Sequence, residues 1–172
     1  MKSTYNPDWF SNETRKEHCL RLKEESEQLF IFLTDAREST LEEDKRHIDC
    51  FWEGKKVDVK GYKPSHKNGY VLVEAINGYG YAGWCSIQSE AQVIAFQFSD
   101  HFMIIDKLLL RELVLLLCPL YHSTKVIRAN FIQPQDGLYQ WCGREGRKDV
   151  FTYLTVGDLE GLAPEYLDYD FE

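Results

Sequence analysis

Small or apolar residues recur at helical spacing over residues 12–33, where Cys19, Leu22, Ser26, Leu29 and Leu33 form one stripe behind a suitable N-cap at Asn12. A second, short helix is expected after Ser39 or Thr40 and up to about Arg46. Glu42 and Glu43 fall in its first turn, where carboxylates suit the helix dipole. Residues 47–53 (HIDCFWE) are then β-branched and aromatic, and residues 56–60 (KVDVK) alternate strictly, with Glu53-Gly54-Lys55 between them as a tight turn. The polar stretch 61–69 reads as a loop and 70–76 as a strand. Residues 77–80 (NGYG) read as a turn and 81–87 as a returning strand. Residues 93–98 and 102–105 form a further strand pair around Ser99-Asp100. Residues 108–117 form a buried helix stopped near Pro119, and an arginine-rich turn (GREGRKD) leads into the strand FTYLTV and a short helix over 157–162. This order of elements predicts an α/β or α+β fold with a mixed sheet.

The length, 172 residues, suits a single domain spanning 1–172, with a core over about 12–120 and a C-terminal extension over 121–172. With 44% hydrophobic and 28% charged residues the composition is that of a folded globular chain. Five widely spaced cysteines without a CxxC pair give no structural zinc pattern and suit free thiols in a reducing compartment. The first residues lack the apolar run of a signal peptide, and the longest apolar stretch, 108–120, is short and carries Arg111 and Glu112. A cytoplasmic protein with no membrane partner is therefore expected.

The net charge of −8 argues against coating nucleic acid through bulk charge. Basic residues are nevertheless grouped, at Lys55, Lys56, Lys60, Lys63, His66 and Lys67 and again at Arg144, Arg147 and Lys148. Either group can contact phosphates or simply be solvated, and Asp149 offers one of the arginines an ion-pair partner.

The hairpin carries the chemistry. A Glu53-Gly54 turn places position 49 opposite 58, and a Gly54-Lys55 turn places it opposite 60. In both registers Asp49, Asp58 and Lys60 share one face, with Val57 and Val59 on the other. Two adjacent carboxylates repel, and a divalent cation resolves the repulsion. Mg²⁺ characteristically takes one or two carboxylates together with water and phosphate oxygens, and acidifies water for attack on phosphorus.

These residues resemble the PD-(D/E)XK nuclease superfamily. The likeness rests on His47 to Trp52 (HIDCFW) and Lys56 to Gly61 (KVDVKG), and extends to YVLVE (70–74), Gly83-Trp84 and VIAF (93–96), about residues 40–110 in all. It implies a restriction-endonuclease-like core, a central mixed β-sheet flanked by helices. It also implies a Mg²⁺- or Mn²⁺-dependent nuclease, with DNA favoured over RNA, acting alone, as a homodimer or as a subunit of a larger phage or repair assembly. The resemblance makes Asp49 and Asp58 metal ligands, with the Val59 carbonyl as an accompanying ligand and Lys60 as the catalytic lysine. Ile48 stands where the motif has proline, and Asp58 where glutamate is more frequent, which shortens the ligand's reach.

Glu43 on the preceding helix is a candidate extra ligand or a helix-terminal charge. Glu74 is a candidate catalytic residue or second-metal ligand, or an exposed strand residue. Lys55, Lys63, Arg144, Arg147 and Lys148 are candidate nucleic-acid contacts. His18, His47, Trp52 and Trp84 have structural readings that outweigh metal binding, phosphate contact or base stacking. A binding module on the same fold, without catalysis, is the rival expectation.

Overall fold

The computed structural model describes residues 15–118, 125–126 and 139–169. The expected Asn12 cap and Pro119 stop lie outside these, as do the side chains of His18 and Cys19. The elements are α1 (Arg15–Thr34), β1 (Arg37–Glu38), α2 (Leu41–Asp44), β2 (Cys50–Trp52), β3 (Lys55–Lys60), α3 (Pro64–Lys67), β4 (Tyr70–Ile76), β5 (Val93–Gln97), β6 (His101–Asp106), α4 (Lys107–Leu117), β7 (Lys125–Val126), β8 (Cys142–Gly143), β9 (Val150–Thr155), α5 (Val156–Glu160) and β10 (Glu165–Asp168).

The strands form two sheets, one of order β1-β2-β3-β5-β6-β10 and one of order β4-β9-β8-β7. In the first, β3 is antiparallel to β2 and parallel to β5, so the sheet is mixed. The hairpin closes on Glu53-Gly54, both in the left-handed region (φ 50° and 76°) as a two-residue hairpin turn requires, and Cys50 pairs with Val57. That selects the register with Asp49 opposite Asp58. β2 starts later than the alternation suggests, because His47 adopts φ 61° and turns the chain out of extended geometry.

Period two then sorts β3. Val57 and Val59 pack with Cys50, Val93, Ala95, Phe102 and Ile104 against Phe30 of α1. Asp58 and Lys60 fall on the other face, which β5 and β6 line with Ile94, Phe96, Met103 and Ile105. That face meets Val71 and Val73 of β4, Leu154 of β9, and Leu110 and Val114 of α4. The first sheet is thus flanked by α1 on one side and by the second sheet with α4 on the other.

Further expectations change. The 61–69 loop contains α3, and α4, expected to be buried, exposes Leu108, Leu109, Leu115 and Leu116 and buries Leu110 and Val114. The inner stripe of α1 centres on Ser26 and Phe30, while Leu22 is 38% exposed, because Phe30 is the residue that meets Trp52 and Phe102 edge-on. Residues 81–87 form no strand beyond the single bridge Ile76↔Ala82, and Trp84 and Cys85 instead fold inward as a buried loop. Residues after 138 are woven into the fold, since β9 pairs with β4 and β10 with β6.

Candidate active site

Asp49 lies where the chain leaves α2 and enters the hairpin. Ile48 is fully buried and anchors the approach. The Asp49 amide donates to Val57 O at 2.8 Å, one step beyond the β2–β3 ladder. Its Oδ2 accepts from the Val59 amide at 2.7 Å. Asp58 projects from the middle of β3 and is 1% exposed. Lys60, two residues on and therefore on the same face, brings Nζ to 2.5 Å from Asp58 Oδ1 and 5.1 Å from the Trp84 ring centroid. Asp58 Oδ2 is buried and has no hydrogen-bond partner.

The electrostatics follow from this crowding. Burial, and then the negative charge of Asp58, push the Asp49 carboxyl up to about 7, against the pull of Lys60 and Lys23. Two further residues of α1 join here. Lys23 Nζ lies 3.0 Å from Asp44 Oδ1, 3.1 Å from Glu27 Oε1 and 3.5 Å from Asp49 Oδ1. Burial alone would lower the Lys23 ammonium, but Asp49, Glu27 and Asp44 outweigh it and raise it. Glu27 is pushed up to about 7 by burial and then by the charge of Asp49. These groups border a cleft of about 370 Å³ between α1, β1 and α2, lined by Lys23, Glu24, Glu27, Glu38, Asp44 and Asp49 among others.

Helix α1 is held in place for this by a polar contact. Ser26 Oγ lies 2.6 Å from Gln97 Oε1 and 2.8 Å from Leu22 O, and Gly61 leaves room for it. A Cβ at Gly61 would meet Ser26 Oγ at 2.7 Å.

Asp49, Asp58 and Lys60 are brought together, and the other sequence candidates divide. Val59 turns its side chain into the core beneath α1 and takes part in the site through its amide. Glu43 is the N3 residue of a capping box with Thr40 and pairs with Arg37 at 3.2 Å. The backbone hydrogen bond from Thr40 and the Arg37 side chain hold it down to about 2. Its neighbour Asp44 is the α2 carboxylate that reaches Lys23.

Glu74 belongs to the second sheet, not to the strands beside the hairpin. Burial raises its carboxyl while Lys60, Lys63 and Arg144 pull it down, so it does lie in the electrostatic reach of Lys60. Gly83 packs closely on the backbone of the same strand, where a Cβ would sit 2.5 Å from Glu74 O. Lys55 caps the hairpin's far end. It pairs with Glu165 at 3.7 Å and sits over Trp52, three residues and so about 10 Å along the strand from Asp58. Arg144 pairs with buried Asp149, whose Oδ1 also accepts from the Arg144 amide at 3.1 Å. Arg147 and Lys148 lie across the turn at residues 77–80.

The sequence reading missed Lys23 and Glu27. Their spacing of four on α1 was the available signal.

Among the described residues no group of three or more His, Cys, Asp or Glu side chains is arranged to hold a metal ion. Asp49 and Asp58 supply two hard oxygen donors, the buried Asp58 Oδ2 among them, and two carboxylates completed by waters are a donor set that Mg²⁺ or Mn²⁺ takes. No helix among the described residues is long and apolar enough to cross a membrane. No family model matches the chain, and neither the curated proteins nor the solved structures contain a match to it.

Proposed function

We propose that the chain is a Mg²⁺- or Mn²⁺-dependent nuclease that hydrolyses phosphodiester bonds, acting on DNA in preference to RNA. The observation that carries this reading is the Asp58 carboxylate, buried on a central strand beside Asp49 with one oxygen unpartnered. Leaving such an oxygen desolvated costs about 1–3 kcal/mol, and the Lys60 ion pair offsets the charge through the other oxygen only.

Asp49 and Asp58 would hold the cation. The cation supplies Lewis-acid polarisation of the scissile phosphate and acidification of water. Lys60 is 17% exposed in its side chain, so its ammonium can turn between Asp58 and an arriving phosphate. There it orients the nucleophile and offsets charge developing on the phosphate. The Val59 amide fixes the Asp49 carboxylate, and Trp84 limits the directions Lys60 can take.

A second reading, a module on this fold that binds without cleaving, draws on the ion pairs of Lys60 and Lys23, which already offset the carboxylate charge, and on the two-carboxylate ligand set. Digestion of single-stranded DNA, duplex DNA and RNA with Mg²⁺, Mn²⁺, Ca²⁺ or excess EDTA separates the two. Cleavage with Mg²⁺ or Mn²⁺, little with Ca²⁺ and none in EDTA is expected. Full activity in EDTA removes the metal from the proposal, and no cleavage of any substrate favours the binding module.

A further inference from the structure

The turn that follows β4 has features the hydrolytic site does not use. Asn77 ties it into a fixed shape. Its Oδ1 accepts from the amides of Tyr79 at 3.0 Å and Tyr81 at 3.1 Å. Its own amide donates to Tyr81 O at 2.9 Å, and its carbonyl accepts from Gly80 N at 2.9 Å. The two tyrosines carried on this rigid turn are among the most exposed aromatic residues described, at 79% and 72%. Two exposed rings held on a preorganised turn are available for stacking at little further cost in ordering.

Two cations lie across the same turn. Lys148 packs its aliphatic stem on Gly80, which has φ +89° and no Cβ. A Cβ there would sit 2.8 Å from Lys148 Cδ. The Lys148 amide also reaches Gly78 O at 3.4 Å. Arg147 places Cδ and a guanidinium nitrogen 3.7 Å from where a Gly78 Cβ would stand. Gly80 therefore serves the close approach of a basic segment from elsewhere in the chain, whereas a Cβ at Gly78 would make ordinary contact with Arg147. The turn also leads to the site, since three residues beyond Tyr81, roughly 10 Å of chain at most, Trp84 lies against Lys60.

We infer that Tyr79 and Tyr81, with Arg147 and Lys148, form a stacking platform for single-stranded nucleic acid, which delivers an unpaired stretch of substrate to the Asp49–Asp58–Lys60 site. Unstacked bases present both faces to an aromatic ring, while cations beside the ring take the phosphates. Paired bases in a duplex hide those faces, so the chemistry selects single strands. The inference deepens the nuclease reading and rests on it for the delivery step, but the platform itself is testable without cleavage.

The experiment is fluorescence anisotropy in EDTA, which silences metal-dependent cleavage. Labelled oligo-dT, oligo-U and a DNA hairpin duplex of equal charge are titrated with wild type, Tyr79→Ala/Tyr81→Ala, Tyr79→Phe/Tyr81→Phe and Arg147→Gln/Lys148→Gln. Wild type should bind a single strand more tightly than the duplex, and comparison of dT with U tells DNA from RNA. The double alanine variant should lose about 10-fold or more in affinity, as removal of base stacking does. The double phenylalanine variant should hold close to wild type, which a hydrogen-bonding role for the hydroxyls would not allow. The double glutamine variant should weaken binding and flatten its salt dependence. All changed positions are exposed, and thermal melts establish that each variant is folded. Equal binding of duplex and single strand, unchanged affinity in the double alanine variant, or no binding by wild type overturns the inference. Binding as expected from a chain that never cleaves leaves the platform standing and sinks the nuclease reading instead.

Discussion

At the scale of single residues, Asp58 and Lys60 occupy one face of one strand and are assigned opposite parts. Asp58 offers a buried oxygen without a hydrogen-bond donor, whereas Lys60 has no ligand atom while charged. Asp58→Ala should therefore impair both Mn²⁺ binding and cleavage. Lys60→Ala should leave Mn²⁺ binding near wild type and lower the single-turnover rate on the order of 10²-fold or more, the mark of a contact made in the transition state. Calorimetric Mn²⁺ titration paired with single-turnover cleavage for each variant checks this. Cleavage at the wild-type rate by Lys60→Ala would make that lysine merely the partner of a buried aspartate.

The elements show how remote segments serve the hairpin. α1 delivers Lys23 and Glu27 to Asp49 because Ser26 and Gly61 let the helix close on the end of β3. Ser26 is short and held on both sides, so it cannot yield much. Gly61→Ala should destabilise the protein by about 1–3 kcal/mol, the usual cost of overpacking a filled contact. Adding Ser26→Gly should recover part of that loss, because the two changes share one contact and will not add. Urea melts of the two single variants and the double variant read this directly. Strict additivity would show that Gly61 is needed for its backbone alone.

The stability of the whole molecule carries opposing pH terms. His66 is buried on α3 with Nδ1 2.6 Å from Gln97 O, and burial lowers it to about 4. Its unfolded form takes up a proton near 6.5, so between these values the unfolded chain binds more protons. The contribution of neutral His66 is fully present above about 6.5 and is lost as pH falls toward 4, on the order of 3 kcal/mol at full extent. Asp49 and Glu27, raised to about 7, act with the opposite sign, since the folded state holds their protons longer as pH rises. The wild-type profile should therefore be shallower than the two carboxyls alone would give. His66→Gln, which cannot titrate, should lose less stability between pH 6.5 and 4, and chemical denaturation across that range measures the difference. Identical profiles would mean that His66 is protonated in the folded protein as readily as in the unfolded one.

The sequence by itself determined what depends on neighbours along the chain. Alternation over 56–60 set Asp58 and Lys60 on one face and the valines on the other. Glu53-Gly54-Lys55 marked the turn and limited the register to two choices. Thr40 and Glu43 formed their capping box three residues apart. Ladder, turn and cap each involve groups within a few residues, so their physics is written in the spacing.

Only the tertiary structure decided what joins distant segments. It paired β3 with β5 in parallel across an excursion of some thirty residues (61–92), placed Glu74 in a separate sheet, and folded residues 81–87 inward, not into a strand. It turned α1 about Phe30 so that Lys23 and Glu27 meet Asp49, and laid Arg147 and Lys148 across the turn bearing Tyr79 and Tyr81. Periodicity says that a strand or helix has an apolar side. It does not say which other apolar side will cover it, because that choice is made by shape and volume among all the faces at once.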